Sequence, residues 1–186
     1  TFGLVSFVPF SHAAPTEFLC HVEDASDRNY LERVLTLVAG ARKSIDMSMF
    51  AVGMTGGPKD PGTQLIEALK SAHERGVGVR LWLNARQAAV GTTRIFMQPG
   101  VQKGLEKAGL QLFYVHPDFR LHDKLIIIDG NIVATGSLNY SSNADESNEE
   151  NVLILDHAGI AALYLQEFDK LWGQAQDVAP ALFSCE

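Results

Sequence analysis

The sequence predicts an α/β domain in which a mixed β-sheet of about seven strands is flanked by helices on both faces. Three observations lead to this prediction. The chain has 186 residues, the size of a single domain. Its composition, with 46% hydrophobic and 20% charged residues, excludes disordered, collagenous and coiled-coil proteins. Segments with the hydrophobic period of a strand alternate along the chain with segments that have the period of a helix.

Hydrophobic periodicity defines the elements of the first half. Positions 28–41 carry apolar residues at helical spacing, with Asp27 as a candidate cap, whereas 44–52 alternate polar and apolar residues as a strand does. The Gly and Pro content of 53–62 predicts a loop. The predicted strands are 17–22, 44–52 and 77–84, and the predicted helices are 28–41 and 63–75.

The second half continues the alternation and ends in a long helix. Gly130-Asn131 separates two apolar runs and predicts a two-residue hairpin turn between them. The run 151–156 is continuously apolar, which is typical of a strand buried on both faces. The predicted strands are 110–115, 124–129, 132–135 and 151–156, the predicted helices are 95–108 and 158–176, and 85–93 is a predicted loop.

The charge of the chain is unevenly distributed. The formal net charge of −7 alone argues against a protein that wraps nucleic acid. Residues 70–124, however, contain nine Lys or Arg against four Asp or Glu, while both flanking segments are acidic. No apolar run approaches the roughly 20 residues of a membrane-spanning helix.

One stretch carries a specific chemical pattern, H-x-K-x4-D-x6-G-S-x-N, which begins at His122 and ends at Asn139. His122 and Lys124 are two residues apart at the start of a predicted strand, so both face one side. Ser137 and Asn139 repeat that spacing after the next strand. Pairing of the two strands gathers an imidazole, an ammonium, a hydroxyl and an amide, a set that suits a phosphodiester.

These residues resemble the HKD motif of the phospholipase D superfamily at all six fixed positions. The element order over about 17–176 is similar to that of the small single-motif members, which include bacterial periplasmic endonucleases and mitochondrial Zucchini-type proteins. In these relatives two protomers share one site. The resemblance therefore implies a phosphodiester hydrolase that works as a homodimer.

The resemblance also implies roles for the motif residues. His122 of one protomer would form a phosphohistidine, and His122 of the other would protonate the leaving oxygen and then activate water. Glu150 would hold the second imidazole nitrogen, with Glu149 as its competitor for this role, and Lys124, Asn139 and Ser137 would bind the phosphate. Asp129 is expected to be structural, and neither a metal nor another cofactor is expected.

The substrate is predicted to be DNA or RNA, cleaved with little sequence preference, because basic residues precede the motif. Arg94, Arg120 and His116 are the candidate substrate-binding residues. Phospholipid head groups or cardiolipin are the alternative, and a nucleic-acid-binding module without turnover is a second one. The basic residues expected around the cleft are Arg80, Arg86, Arg94, Lys103, Lys107 and Arg120.

Two features bear on the compartment. Residues 1–16 are apolar and end in small residues, so they are predicted to be an N-terminal arm or the remnant of a secretory signal, ahead of a single catalytic domain over 17–186. Cys20 and Cys185 lie near opposite ends of the chain, and they are either a disulfide or two separate thiols. Together these features favour a periplasmic or secreted protein.

Overall fold

The computed structural model describes residues 19–53, 57–84, 110–115 and 121–182. The predicted loop 85–93, the predicted helix 95–108, the arm 1–16 and Cys185 lie outside these residues. The described strands are β1 (His21–Asp24), β2 (Ser44–Met49), β3 (Gly78–Asn84), β4 (Gln111–Val115), β5 (Lys124–Ile128), β6 (Ile132–Gly136) and β7 (Val152–Asp156). The described helices are α1 (Tyr30–Gly40), α2 (Pro61–Glu74), α3 (Ser142–Glu146) and α4 (Ala158–Leu182).

Within the described residues, the seven strands form one mixed sheet in the order β1-β7-β6-β5-β2-β3-β4. β2, β3 and β4 are parallel neighbours, and the other pairs are antiparallel. The predicted α/β sheet of about seven strands is therefore confirmed. None of the described helices is long and apolar enough to span a membrane.

Helices cover both faces of this sheet. On one face, α1 and α2 pack Val34 and Leu65 against Ile126 and other buried strand residues. On the opposite face, α4 packs Phe168 and Trp172 against Leu125, Trp82 and their neighbours. Residues 126–128 of β5 are at most 2% exposed, as expected for core. The central strands are thus enclosed on both sides, and the ends of β2 and β5 are held in a fixed position.

Several element boundaries differ from the predictions because caps and turns decide them. α2 begins inside the predicted loop, where Asp60 accepts a hydrogen bond from the Thr63 amide at 2.9 Å and Pro61 occupies the first turn. α1 begins after a short 3-10 turn (Asp27–Asn29), so Asp27 is not its cap. Three other elements also differ from their predicted bounds: α4 ends at 182 and not at 176, β1 spans 21–24 and not 17–22, and β2 ends at 49 and not at 52.

The hairpin between β5 and β6 turns one residue earlier than predicted. Asp129 and Gly130 have φ of 55° and 66°, and the Asn131 amide donates to the Ile128 carbonyl at 3.0 Å. Positive φ at both central residues is the pattern of a type I′ turn. The sequence pair that forms the turn is therefore Asp-Gly and not Gly-Asn.

β7 is not buried on both faces. Val152 and Ile154 are at most 4% exposed, whereas Leu153 is 43% exposed. β7 lies next to the edge strand β1. On the face that Leu153 shares with Leu155, Leu155 packs against the cluster around Phe168, whereas Leu153 is left open to solvent. The short helix α3 was not predicted, and it begins where Ser141 accepts a hydrogen bond from the Ala144 amide.

Candidate active site

The motif residues lie where the carboxyl end of β2 meets the start of β5. Met49 pairs with Lys124 in antiparallel register. Beyond this pair, the Phe50 amide donates to the Asp123 carbonyl at 2.7 Å, and the Ser48 hydroxyl donates to the Asp123 carboxylate at 2.8 Å. His122 precedes β5 and is attached to the sheet through these contacts of Asp123.

Lys124 is packed directly against His122. Its Nζ lies 2.9 Å from the His122 carbonyl oxygen and 3.2 and 3.3 Å from the two imidazole nitrogens. Lys124 is only 7% exposed. Burial lowers the pKa of Lys124, and the carboxylates of Asp123 and Glu150 oppose this effect. The arrangement places a positive charge beside the His122 imidazole.

Ser137 and Glu150 form a second contact pair. The Ser137 hydroxyl donates to the Glu150 carboxylate and accepts from the Asn151 amide at 3.1 Å. Asn148 donates to the other oxygen of Glu150 at 2.9 Å. Glu149 points elsewhere, since its carboxylate lies 3.8 Å from the Arg28 guanidinium and is 85% exposed.

Gly136 explains how these residues come so close. A Cβ at position 136 would lie 1.9 Å from the Asn151 carbonyl oxygen. No side chain fits at this distance, so the glycine lets β6 and the start of β7 approach each other. Because the strands approach closely here, the Ser137 hydroxyl is within hydrogen-bond distance of the Glu150 carboxylate.

The backbone of Glu150 is fixed from the other side by Asp27. The Glu150 amide donates to the Asp27 carboxylate at 2.8 Å, and the Asp27 amide donates to the Glu150 carbonyl at 3.1 Å. Asp27 itself has a φ of 55°. The residue predicted to be a helix cap therefore holds the acidic segment of the site.

A family model described as "Cardiolipin synthase, PLD-like domain" matches residues 34–172. The chain belongs to the phospholipase D superfamily. Relatives named mitochondrial cardiolipin hydrolase include the human protein, which is 33% identical over 144 residues and 77% of this chain. This chain spans about half the length of the human relative, 51%. A Rickettsia bellii protein named phospholipase D is 26% identical over 89% of this chain and 80% of its own.

Solved structures share the phospholipase D fold. The family member Nuc from Salmonella typhimurium superposes with a TM-score of 0.68 and 24% identity, covering 84% of this chain and 96% of Nuc. NucT from Helicobacter pylori gives a TM-score of 0.65 and 20% identity over 84% of this chain and 97% of NucT. At these identities the likeness concerns the fold alone.

The contacts of Glu150 differ from those that the phospholipase D motif implied. Glu150 was expected to hold an imidazole nitrogen of His122. Among the described residues, its side chain instead accepts hydrogen bonds from Ser137 and Asn148. The close approach at Gly136 makes Ser137 the nearest donor to this carboxylate.

Asn139 follows β6 and is partly enclosed. Its Oδ1 is buried and has no hydrogen-bond partner among the described residues. Buried amide oxygens are normally paired, so this unpaired Oδ1 is an exception among the described residues of the site. Of the five motif-linked residues, the structure joins His122 to Lys124 and Ser137 to Glu150 by hydrogen-bond contacts.

The carboxylate of Asp129, the acidic position of the HKD motif, lies away from the imidazole and binds backbone. It accepts hydrogen bonds from the amides of Arg42, Lys43 and Ser44 at 2.7 to 3.1 Å. Burial alone would raise the pKa of Asp129, but these amide donors outweigh it and the pKa is lowered. Asp129 therefore fixes the chain before β2 to the β5–β6 turn.

Arg80 does not belong to the cleft, contrary to the prediction. Its guanidinium lies 2.5 Å from Asp46 and 2.8 Å from Asp169, and it stacks under the rings of Phe168 and Trp172. Two carboxylates already neutralise this arginine beneath α4. The other basic residues predicted near the cleft, and His116, lie outside the described residues: Arg86, Arg94, Lys103, Lys107 and Arg120.

A groove of about 270 Å³ opens beside His122 and Lys124. Ser48, Asp123, Tyr164 and Glu167 contribute to its walls. The described residues contain no group of three or more His, Cys, Asp or Glu side chains able to hold a metal ion.

Sequence reasoning missed three neighbours of the motif, namely Ser48, Phe50 and Asp27. Ser48 lies in β2 and Phe50 directly follows it, more than 70 positions before His122 in the chain. The alternation of polar and apolar residues over 44–52 predicted a strand, but it did not predict which strand pairs with it. That β2 lies next to β5 follows from the order of strands in the sheet.

Proposed function

We propose that this protein is a phosphodiester hydrolase that cleaves nucleic acid through a covalent phosphohistidine on His122. The observation that carries the proposal is the contact of the buried Lys124 ammonium with the imidazole of His122, which lies 3.2 Å away. An ammonium at this place attracts a phosphodiester anion to the nucleophile.

The first step forms the covalent intermediate. One nitrogen of the His122 imidazole attacks phosphorus, and the bond from phosphorus to the leaving oxygen breaks. The leaving oxygen takes a proton from a second imidazolium. Such nucleophilic catalysis divides one difficult displacement into two easier ones.

The second step releases the product. Water loses a proton to the second imidazole and attacks phosphorus, while the bond between phosphorus and the His122 nitrogen breaks. The imidazole recovers its electron pair, and the second imidazole is again protonated. Both catalytic groups therefore return to their starting states.

The second imidazole is proposed to be His122 of another copy of the chain. In-line displacement needs the nucleophile and the proton donor on opposite sides of phosphorus. The sequence contains one copy of the motif, so a homodimer would supply the opposite side.

Lys124 and Asn139 are proposed to bind the non-bridging phosphate oxygens, where negative charge grows in the transition state. Ser137 would fix the Glu150 carboxylate, whose negative charge stabilises an imidazolium in the shared site. The groove beside His122 offers room for the group next to the scissile phosphate.

A phospholipid head group, above all that of cardiolipin, is the second candidate substrate. The human relative named mitochondrial cardiolipin hydrolase favours it. Leu163 and Tyr164 on α4 are 53% and 38% exposed, and Tyr164 lines the groove. Apolar side chains at this position suit a lipid surface.

A nucleic-acid-binding module without turnover is the third candidate function. For the compartment, we propose a periplasmic or secreted location.

The test is digestion of plasmid DNA by the wild type and by His122→Ala. We expect His122→Ala to abolish cleavage, because the nucleophile is lost, and we expect wild-type cleavage to persist in excess EDTA. A wild type that binds DNA without cutting it would support the binding module. Abolition of cleavage by EDTA would contradict a metal-independent mechanism.

The substrate class is decided with one sample on four substrates: single-stranded DNA, duplex DNA, RNA and vesicles that contain cardiolipin or phosphatidylcholine. We expect cleavage of at least one nucleic acid, weakened by added salt because contact with a polyanion is screened. Hydrolysis of vesicles alone would assign the lipid function instead.

A further inference from the structure

We propose that Phe50 is a positioning residue that holds the Lys124 ammonium and the His122 imidazole in their reactive arrangement. The inference rests on the proposed hydrolase reaction, since it concerns the same two side chains. Phe50 lies outside the HKD motif, directly after β2.

The Phe50 ring contacts both side chains. Its centroid is 4.7 Å from the centroid of the His122 ring, with the planes tilted by 51°. Lys124 Nζ lies 4.9 Å from the same centroid. The Phe50 backbone is fixed at this place by the hydrogen bond from its amide to the Asp123 carbonyl.

An aromatic ring suits this position because it attracts the ammonium without neutralising it. The face of a phenyl ring carries partial negative charge and binds a cation at this distance. A carboxylate in the same place would form an ion pair and compete with the phosphate oxygens. With Phe50, the full charge of Lys124 stays available for substrate.

The same ring restrains an exposed imidazole. His122 is exposed, whereas Lys124 beside it is buried. Packing against Phe50 on one side and the ammonium on the other limits rotation of the His122 ring. A nucleophile held near its reactive orientation loses less entropy on reaching the transition state.

The titratable groups that face Lys124 among the described residues are His122, Asp123 and Glu150, together with Glu167 of α4 across the groove, besides the Phe50 ring. Burial already lowers the pKa of Lys124. Loss of the ring removes a contact that favours the ammonium, so deprotonation would begin at lower pH.

The experiment compares Phe50→Leu, Phe50→Tyr and Phe50→Trp on bis(p-nitrophenyl) phosphate. The p-nitrophenolate group leaves without a proton donor, so the loss of kcat at high pH, the alkaline limb of the profile, reports deprotonation of Lys124 and not of the second imidazolium. We expect Phe50→Leu to lower kcat about tenfold, with KM changed by less than about twofold, and to move this alkaline limb to lower pH. The two aromatic variants keep the ring face and should restore the position of that limb.

Phe168→Leu is the matched control. Phe168 also stacks on a cation, with its centroid 4.9 Å from the Arg80 guanidinium, but Arg80 is paired with carboxylates. This variant should lower the melting temperature and leave the alkaline limb in place. Phe50→Leu with a wild-type kcat and pH profile would overturn the inference, as would aromatic variants that fold but do not restore the limb.

A readout without turnover separates this inference from the proposed function. The ε-carbon of Lys124 is titrated by NMR in wild type and Phe50→Leu, with Lys124→Gln for assignment. A wild type inactive on every substrate would contradict the hydrolase. Even then, an earlier titration of Lys124 in Phe50→Leu supports the role of Phe50, and an unchanged titration contradicts it.

Discussion

At the level of single residues, Asp129 illustrates how one carboxylate serves the site without touching the reacting groups. It caps three successive backbone amides, and it occupies the left-handed region with a φ of 55°. Asn tolerates that conformation, so the charge is separable from the turn.

We expect Asp129→Asn to lower the free energy of unfolding by about 1–2 kcal/mol near pH 7, because it loses charge-assisted hydrogen bonds. The pKa of Asp129 is lowered in the folded state. The carboxylate therefore stabilises the fold above the ordinary Asp pKa, and this contribution disappears as the pH falls through the lowered value.

Urea unfolding between pH 7 and pH 3 measures this effect. The difference between wild type and Asp129→Asn should be constant at neutral pH and shrink in acid. A difference that grows in acid would contradict the assignment of the charge. The motif identified Asp129, but it could not identify the amides that Asp129 binds, because Arg42–Ser44 are more than 80 positions away in the chain.

At the level of elements, the approach of β6 to β7 controls the acidic half of the site. Gly136 sits where a Cβ would meet the Asn151 carbonyl at 1.9 Å and the Val152 Cα at 2.8 Å. Both atoms belong to backbone, which cannot rotate away as a side chain can. Separation of the strands is the available response.

We expect Gly136→Ala to destabilise the protein by about 3 kcal/mol or more and to reduce hydrolysis, since Ser137 and Glu150 move apart. Thermal unfolding and the phosphodiester assay measure the two effects. Gly173→Ala is the control, because a Cβ at position 173 meets nothing within 4 Å and alanine favours a helix. Equal stabilities of the two variants would contradict the close approach.

Apart from the short helix α3, the types of the described strands and helices followed from periodicity, but their ends did not. Asp60 and Ser141 start helices through side-chain hydrogen bonds to nearby amides. The Gly and Pro content of 53–62 predicted a loop over the start of α2. Composition alone does not show that the Asp60 side chain caps a helix there. The exposure of Leu153 had a different cause, since it depends on which strand lies at the edge of the sheet.

At the level of the whole molecule, the proposed reaction needs two copies of the site. One chain supplies a single motif histidine, and the described residues contain no other histidine in contact with Lys124. The second histidine is proposed to come from a partner with the same sequence. Under this proposal, activity depends on the assembly of two copies of the chain.

We expect sedimentation velocity to show a dimer at working concentrations and specific activity to fall on dilution, as dimers dissociate. Pure monomer that retains full activity would contradict the shared site. His122→Ala serves as the control, since it should form the same dimer without activity.

The sequence by itself determined the superfamily, the α/β class and the identities of the motif residues. These depend on local pattern and on spacing along one hairpin, where pairing partners are close in the chain. Three contacts were decided only by the tertiary structure. Phe50 contacts both His122 and Lys124. Ser137 donates a hydrogen bond to Glu150, and Arg80 is neutralised under α4. The contacts of Phe50 and Arg80 join segments distant in sequence, and Ser137 meets Glu150 because β6 and β7 are neighbours. In each case the order of strands in the sheet brings the partners together.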